Sequence, residues 1–215
     1  MASKTIILLP LLLAACGTAE TGSNQTATSP NSQQANAASA NSASAAAPAE
    51  EAELASAVLT PEGWGPLKIG MTVEEITAAL GPDADPDAVG GADPASCDQF
   101  RPTRAPKGML VMVEQGRLTR ISLLEGSPVE TDEGIKVGDG RDKVARAYGN
   151  AAVASLHKYV EPPAGYLDAW VGGGGGDTFQ AKPSDRGIRY EIDGKDKVGA
   201  IHAGGPSIQY VEGCS

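Results

Sequence analysis

Two stretches of the chain place apolar residues at helical spacing and end on a stop signal. In 66–81, Val73, Ile76 and Leu80 share one face with Ala79 beside them, and Gly81-Pro82 closes the run. In 134–149, Val144, Ala147 and Tyr148 form a shorter stripe that stops at Gly149. The stretches align without a gap. Lys68/Lys136, Gly70/Gly138, Ala79/Ala147 and Gly81/Gly149 are identical, and Leu67/Ile135, Ile69/Val137, Ile76/Val144 and Leu80/Tyr148 keep their apolar or aromatic character. Such self-similarity is a repeat signal. Thr72-Val73-Glu74-Glu75 has the form of a capping box, in which the Thr72 hydroxyl takes an orphan amide and Glu75 reaches back. The second copy offers Asp139-Gly140-Arg141-Asp142, a weaker Asp cap shifted by one residue, so the two helices are expected to start differently.

Elsewhere the period is two. Ser96 to Arg101 and the continuous apolar run Met109 to Val113 read as strands, the latter a central one. Glu114-Gln115-Gly116 is a hairpin turn into Arg117 to Leu124, with Ile121 and Leu123 on one face and Arg120 and Ser122 on the other. The second half offers strands at Leu156 to Val160, Tyr166 to Val171, Gly187 to Ile192, Lys197 to His202 and Ser207 to Glu212, with turn chemistry at Asp193-Gly194-Lys195-Asp196. The hairpin of Ile188 to Ile192 and Lys197 to Ile201 echoes that of Leu110 to Val113 and Arg117 to Ile121. The class is α+β, with one globular domain over 60–215 built of repeats at 60–131 and 132–215. Trp64, in the turn-rich entry Pro61 to Pro66, is expected to plug a helix end.

The N-terminus follows neither period. Thr5 to Leu13 are nearly all apolar but too few to span a bilayer, which takes about 20 residues. The run matches the hydrophobic region of a secretory signal over 1–15. It ends in Leu13-Ala14-Ala15-Cys16-Gly17, which resembles the lipobox of bacterial lipoproteins. That resemblance implies cleavage before Cys16 and lipid attachment at its thiol, hence partnership with a membrane through an N-terminal anchor. An Asp after the cysteine commonly holds such proteins in an inner membrane. Gly17 stands there instead, which favours the outer membrane if the source has one. Residues 16–59 form a tether: Gly17 to Pro48 carries one charge, Glu20, and no large apolar side chain, so nothing offsets the entropy of ordering it. Glu50 to Val58 offers a short helix with acids at its positive end.

Charge and cysteines narrow the rest. A net charge of −10 repels phosphate backbones and argues against nucleic acid. With Cys16 taken by lipid, Cys97 and Cys214 are an even pair in an oxidising compartment, so a disulfide is expected. Asp83 to Asp87 begins like a calcium loop but has Ala88 and Pro94 where glycine and a bidentate Glu are needed. Gly172 to Gly176 with Asp177 is one copy of a motif that works only in tandem, and reads as a flexible loop. His157 and His202 lack ligand-spaced partners, and no Gly-x-Ser-x-Gly elbow exists, so no metal, cofactor or catalytic residue is expected. In Tyr166 to Val171, Leu167, Ala169 and Val171 suit the helix-packed face, while Tyr166, Asp168 and Trp170 share the opposite one. Those three either form an open face for protein or sugar or pack against a loop or a neighbouring repeat.

A lipobox, a polar tether and the unit Leu67-Lys68-Ile69-Gly70-Met71-Thr72 with Glu75, Leu80 and Gly81 resemble small outer-membrane lipoproteins of the SmpA/OmlA type. The duplicated form, with Gly138, Val144 and Gly149 in the second copy, resembles the fold of beta-lactamase-inhibitory proteins. This resemblance implies two tandem helix-plus-strand repeats forming a continuous antiparallel sheet with helices on one face. Its motifs are glycines and caps, which speak of fold. The expected role is a non-catalytic, protein-binding or scaffold lipoprotein of the cell envelope. A glycan or peptidoglycan binder is the alternative, and a hydrolase the less favoured third.

Overall fold

The computed structural model describes residues 51–176 and 178–214. The signal at 1–15, Cys16 and most of the tether lie outside them.

Local chemistry sets the first helix. Thr72 Oγ1 accepts from the Glu75 amide at 3.2 Å, and Glu75 Oε2 accepts from the Thr72 amide at 2.8 Å, so the capping box is complete. The helix α1 runs Val73–Leu80 and buries Ile76 and Leu80, while Val73 stays at the rim. The second helix, α2, runs Arg141–Tyr148 and buries Val144. Its N-cap is Gly140, the counterpart of Thr72, and it has no side-chain cap. Asp139 is committed elsewhere: its Oδ2 accepts from the Lys136 amide and from Lys143 Nζ, so the expected shifted Asp cap does not form.

The described residues hold ten strands. Three are two-residue pieces, β1 (Leu59–Thr60), β2 (Gly63–Trp64) and β3 (Leu67–Lys68), paired antiparallel as a small sheet of their own. The other seven are β4 (Cys97–Phe100), β5 (Met109–Glu114), β6 (Arg117–Leu123), β7 (Ala152–Leu156), β8 (Gly165–Trp170), β9 (Gly187–Ile192) and β10 (Val198–Gly204). They form one antiparallel sheet in the order β4-β5-β6-β10-β9-β8-β7. The α+β class holds, but the strands divide between two sheets rather than making a single one. The β1–β3 meander is attached by a bridge from Leu59 to Thr131.

The β5–β6 turn places Gln115 and Gly116 at φ +50° and +72°, the left-handed pair that matches the twist of a two-residue hairpin. Between the two halves, β6 pairs with β10, joining Ile121 to Ala203 and Leu123 to Ile201. Both helices, the small sheet and one face of the large sheet share a single core. It includes Trp64, Ile76, Leu80, Val111, Ile121, Val144, Tyr190 and Ile201. Trp64 donates from Nε1 to Ala57 O at 3.0 Å, tying in the segment that follows a helical turn at 51–56.

Three expected strands change. The one placed at Leu156 to Val160 lies earlier, at Ala152–Leu156, because His157 Nδ1 accepts from the Tyr159 and Val160 amides and turns the chain there. Val171 falls beyond the end of β8 and is 65% exposed, so it does not join Leu167 on the helix side. Ser207 to Glu212 is no strand. A 3₁₀ turn at Pro206–Gln209 starts a strap that crosses the other face of the sheet and ends at the Cys97–Cys214 disulfide.

The bridge closes a separation of 117 residues. Replacing both cysteines by serine is expected to cost about 2–5 kcal/mol of unfolding free energy. Urea unfolding of the variant, and of the parent with and without reductant, measures it; equal midpoints would show that the strap holds without its bridge.

Candidate functional site

Alternation along the strands sorts the sheet into two unlike faces. Residues such as Ile188, Tyr190 and Ile192 enter the apolar core. Their neighbours Arg189 and Glu191 join Asp168, Arg120, Ser122, His202 and Gln99 on the reverse face. Cross-strand register sets Asp168 opposite Arg189 and Ser122 opposite His202.

Arg189 grips Asp168 with two parallel bonds, Nε to Oδ1 at 2.7 Å and Nη2 to Oδ2 at 2.8 Å. Its Nη1 donates to Gln209 O of the strap at 3.1 Å. Arg120 donates from Nη1 to Ser207 O and Tyr210 O, each at 3.1 Å, and from Nη2 to Gln99 Oε1 at 2.9 Å. Two buried guanidiniums thus hold three main-chain carbonyls of the strap. Burial without a directly bonded carboxylate pushes the Arg120 guanidinium down to about 10, against the pull of Glu114 and Glu191.

The expected face of Tyr166, Asp168 and Trp170 forms, but it is closed: the three are 4%, 0% and 6% exposed. Tyr166 lies under the Arg189 guanidinium, 4.5 Å from ring centroid to Cζ, and stacks with His157 at 5.0 Å. Trp170 lies beneath the glycine run. A Cβ at Gly175, where φ is +106°, would stand 2.9 Å from both Asp168 Cβ and Trp170 Cδ1. A Cβ at Gly176 would likewise stand 2.7 Å from Val153 Cγ1, so the end of the glycine run is pressed onto the sheet, whereas one at Gly172 or Gly173 would meet nothing within 4 Å. The strap joins the segment after this run through Gln209, whose Oε1 accepts from the Gln180 amide and whose Nε2 donates to Gln180 O, both at 2.9 Å.

One group on this face has the outline of a hydrolytic relay. Ser122 Oγ is 2.8 Å from His202 Nδ1, and His202 Nε2 is 3.7 Å from Glu191 Oε2. Glu191 also meets His157 Nε2 at 3.3 Å. Ser122 is 1% exposed in the middle of β6, and none of the main described clefts is lined by it or by His202. The hydroxyl has no approach for a substrate. Burial holds the His202 imidazole below its usual range, outweighing the pull of the nearby Glu191 carboxylate. The proximity of His202 is in turn the largest cause that holds Glu191 below the usual carboxylate range. Alternating polar positions in β6, β9 and β10 were the available sign of this layer. His202 sits in a strand as expected, whereas His157 lies in the turn after β7.

The accessible chemistry lies along the strap. A cleft of about 470 Å³ is lined by Glu114, Lys158, Tyr210, Val211 and Glu212 together with the disulfide cysteines. Tyr159 hydroxyl donates to Glu212 Oε1, and Lys158 Nζ stands 5.5 Å over the Tyr159 ring. Phe179 lies parallel to Tyr210 within 8°, centroids 6.4 Å apart. The chain has two Phe, two Trp and five Tyr. Trp64, Phe100, Tyr166, Trp170 and Tyr190 are buried and Tyr148 packs against the core. The remaining three, Tyr159, Phe179 and Tyr210, are 59%, 56% and 37% exposed. Tyr210 lines this cleft, Phe179 stacks on Tyr210, and Tyr159 meets the lining through Glu212 and Lys158. Tyr159 and Tyr210 fall in stretches whose composition suggests strands, and their exposure follows from the irregular backbone found there instead.

Among the described residues, no group of three His, Cys, Asp or Glu side chains is placed to hold a metal ion. No described helix is long and apolar enough to cross a membrane. No family model, curated protein or solved structure matches the chain.

Arg189→Met should cost about 3–5 kcal/mol, because Asp168 would be left buried and uncompensated, whereas Arg189→Met combined with Asp168→Leu should recover most of that loss. Chemical denaturation of both variants checks this; equal losses would mean the charge pair is not the reason. His202 gives a second test. Its folded pKa lies below its unfolded value near 6.5, so the unfolded chain binds more protons as pH falls below that point. Stability should drop by about 1 kcal/mol between pH 6.5 and 5.5, and His202→Gln should flatten that slope. An unchanged slope in the variant would place the titration elsewhere.

Proposed function

We propose that this protein is a non-catalytic binding or scaffold module of the cell envelope, held to a membrane by lipid on Cys16. In this reading the domain is a duplicated unit of the SmpA/OmlA and beta-lactamase-inhibitory-protein type. The reading is supported by matched turns: Gly70 (φ +99°) donates to Leu118 O and Gly138 (φ +94°) to Val198 O, each at 2.7–2.8 Å. Leu118 returns a bond to Met71 O, and Val198 returns one to Asp139 O. The helices after these turns then stand over the two hairpins, and the β6–β10 pairing joins the copies.

The observation that carries the binding role is the contrast between two groups of side chains. Ser122 and His202, the acid–base pair, are shielded within the sheet, while the exposed rings Tyr159, Phe179 and Tyr210 gather at the cleft along the strap, Tyr210 in its lining and the other two in contact with lining residues. Exposed rings carry large contact area at low entropic cost, which suits gripping.

A full chain bearing Cys16→Ser should lose detergent-phase partitioning yet still sediment with isolated cell envelopes. Adding Tyr159→Ala and Phe179→Ala should abolish that retention with an unchanged urea midpoint. Absence of any retention by the Cys16→Ser chain would end the binding reading; partitioning that survives Cys16→Ser would end the lipid-anchor reading.

A further inference from the structure

We infer that the ligand gripped across the strap is a saccharide chain with no net negative charge; this rests on the binding reading above. The argument begins with the shape of the aromatic surface. Phe179 and Tyr210 are parallel within 8° with centroids 6.4 Å apart, and they are 56% and 37% exposed, so two similarly oriented rings meet water beside the cleft. Tyr159, 59% exposed, is joined to the cleft lining by its hydroxyl bond to Glu212 and by Lys158 over its ring. Flat apolar ring faces open to water match the C–H faces of sugar rings, which stack on aromatic side chains without needing a deep pocket.

The polar lining points the same way. Glu114 and Glu212 are hydrogen-bond acceptors, and Lys158 is a donor. Glu212 takes one bond from the Tyr159 hydroxyl, which fixes that ring beside the carboxylate. Ionised acceptors bond hydroxyl groups strongly, and a polyol offers many of them. Two carboxylates against one ammonium, in a chain of net charge −10, oppose a polyanion. A protein partner would instead be expected to set an apolar or Arg anchor in a fully desolvated pocket. Glu114, Lys158 and Glu212 leave this cleft wet.

The test uses the lipid-free full chain, Cys16→Ser, on isolated envelopes divided into four portions: untreated, protease-digested, periodate-oxidised and muramidase-digested. Retention should survive protease. It should fall at least about tenfold after periodate, if the glycan carries vicinal diols, or after muramidase, if the ligand is the amino-sugar backbone of the cell wall. Tyr159→Ala and Phe179→Ala should each weaken retention by about tenfold, equivalent to 1.4 kcal/mol. Protease-sensitive retention that resists both glycan treatments would overturn the saccharide in favour of a protein, leaving the binding reading intact. Retention that resists all three treatments, or that ignores both aromatic substitutions, would also overturn it. No retention on untreated envelopes would remove the binding reading itself.

Discussion

The two-bond grip of Arg189 on Asp168 is the interaction on which the second side of this sheet depends. Asp168 is fully buried, and a carboxylate taken out of water is costly unless a cation and hydrogen bonds meet it there. Direct cross-strand register between β8 and β9 supplies the cation. A one-residue slip would turn Arg189 to the apolar core and Ile188 to the polar layer, so this pair penalises every register but the observed one. The same guanidinium reaches Gln209 O, which links strand register to the seat of the strap.

A helix layer covers one face of the sheet, and irregular backbone covers the other. Irregular backbone brings its own amides and carbonyls, each of which needs a partner when buried. Arg120 and Arg189 serve the strap's carbonyls, Gln209 and Gln180 serve each other, and Gly175 lets the backbone lie against Trp170. The satisfaction is incomplete: among the described residues, Arg120 Nε, Tyr166 Oη, Trp170 Nε1 and Ser207 Oγ lack hydrogen-bond partners, and all belong to this layer. The strap that closes this layer also supplies Tyr210 and Glu212 to the open cleft, so the structural need to close the polar face and the proposed grip share one segment.

The sequence announced what is local. The capping box at Thr72, the hairpin at Gln115-Gly116 and the cysteine pair are read from neighbouring residues or from elimination, and each is present. The sharing of one face by Tyr166, Asp168 and Trp170 follows from period two, and it too is present. Their closure was not legible, because it depends on Gly175 and on residues 206–214 arriving from far along the chain. Ser207 to Glu212 looked like a strand because its composition allows one, but Arg120 and Arg189 compete for its carbonyls and bend it across the sheet. Asp139 resembled a cap until Lys136 and Lys143 claimed its oxygens. In each case a long-range or charged partner outweighed a local preference.

The strap is encoded after every strand it covers. During synthesis or passage across a membrane, β4 to β10 emerge before residues 206–214 exist outside the channel. Until then Arg120 lacks the carbonyls that later hold it, and Cys97 has no Cys214 to pair with. The order of emergence leaves closure of the polar layer to a late stage of folding, after the strands have had an interval in which to pair.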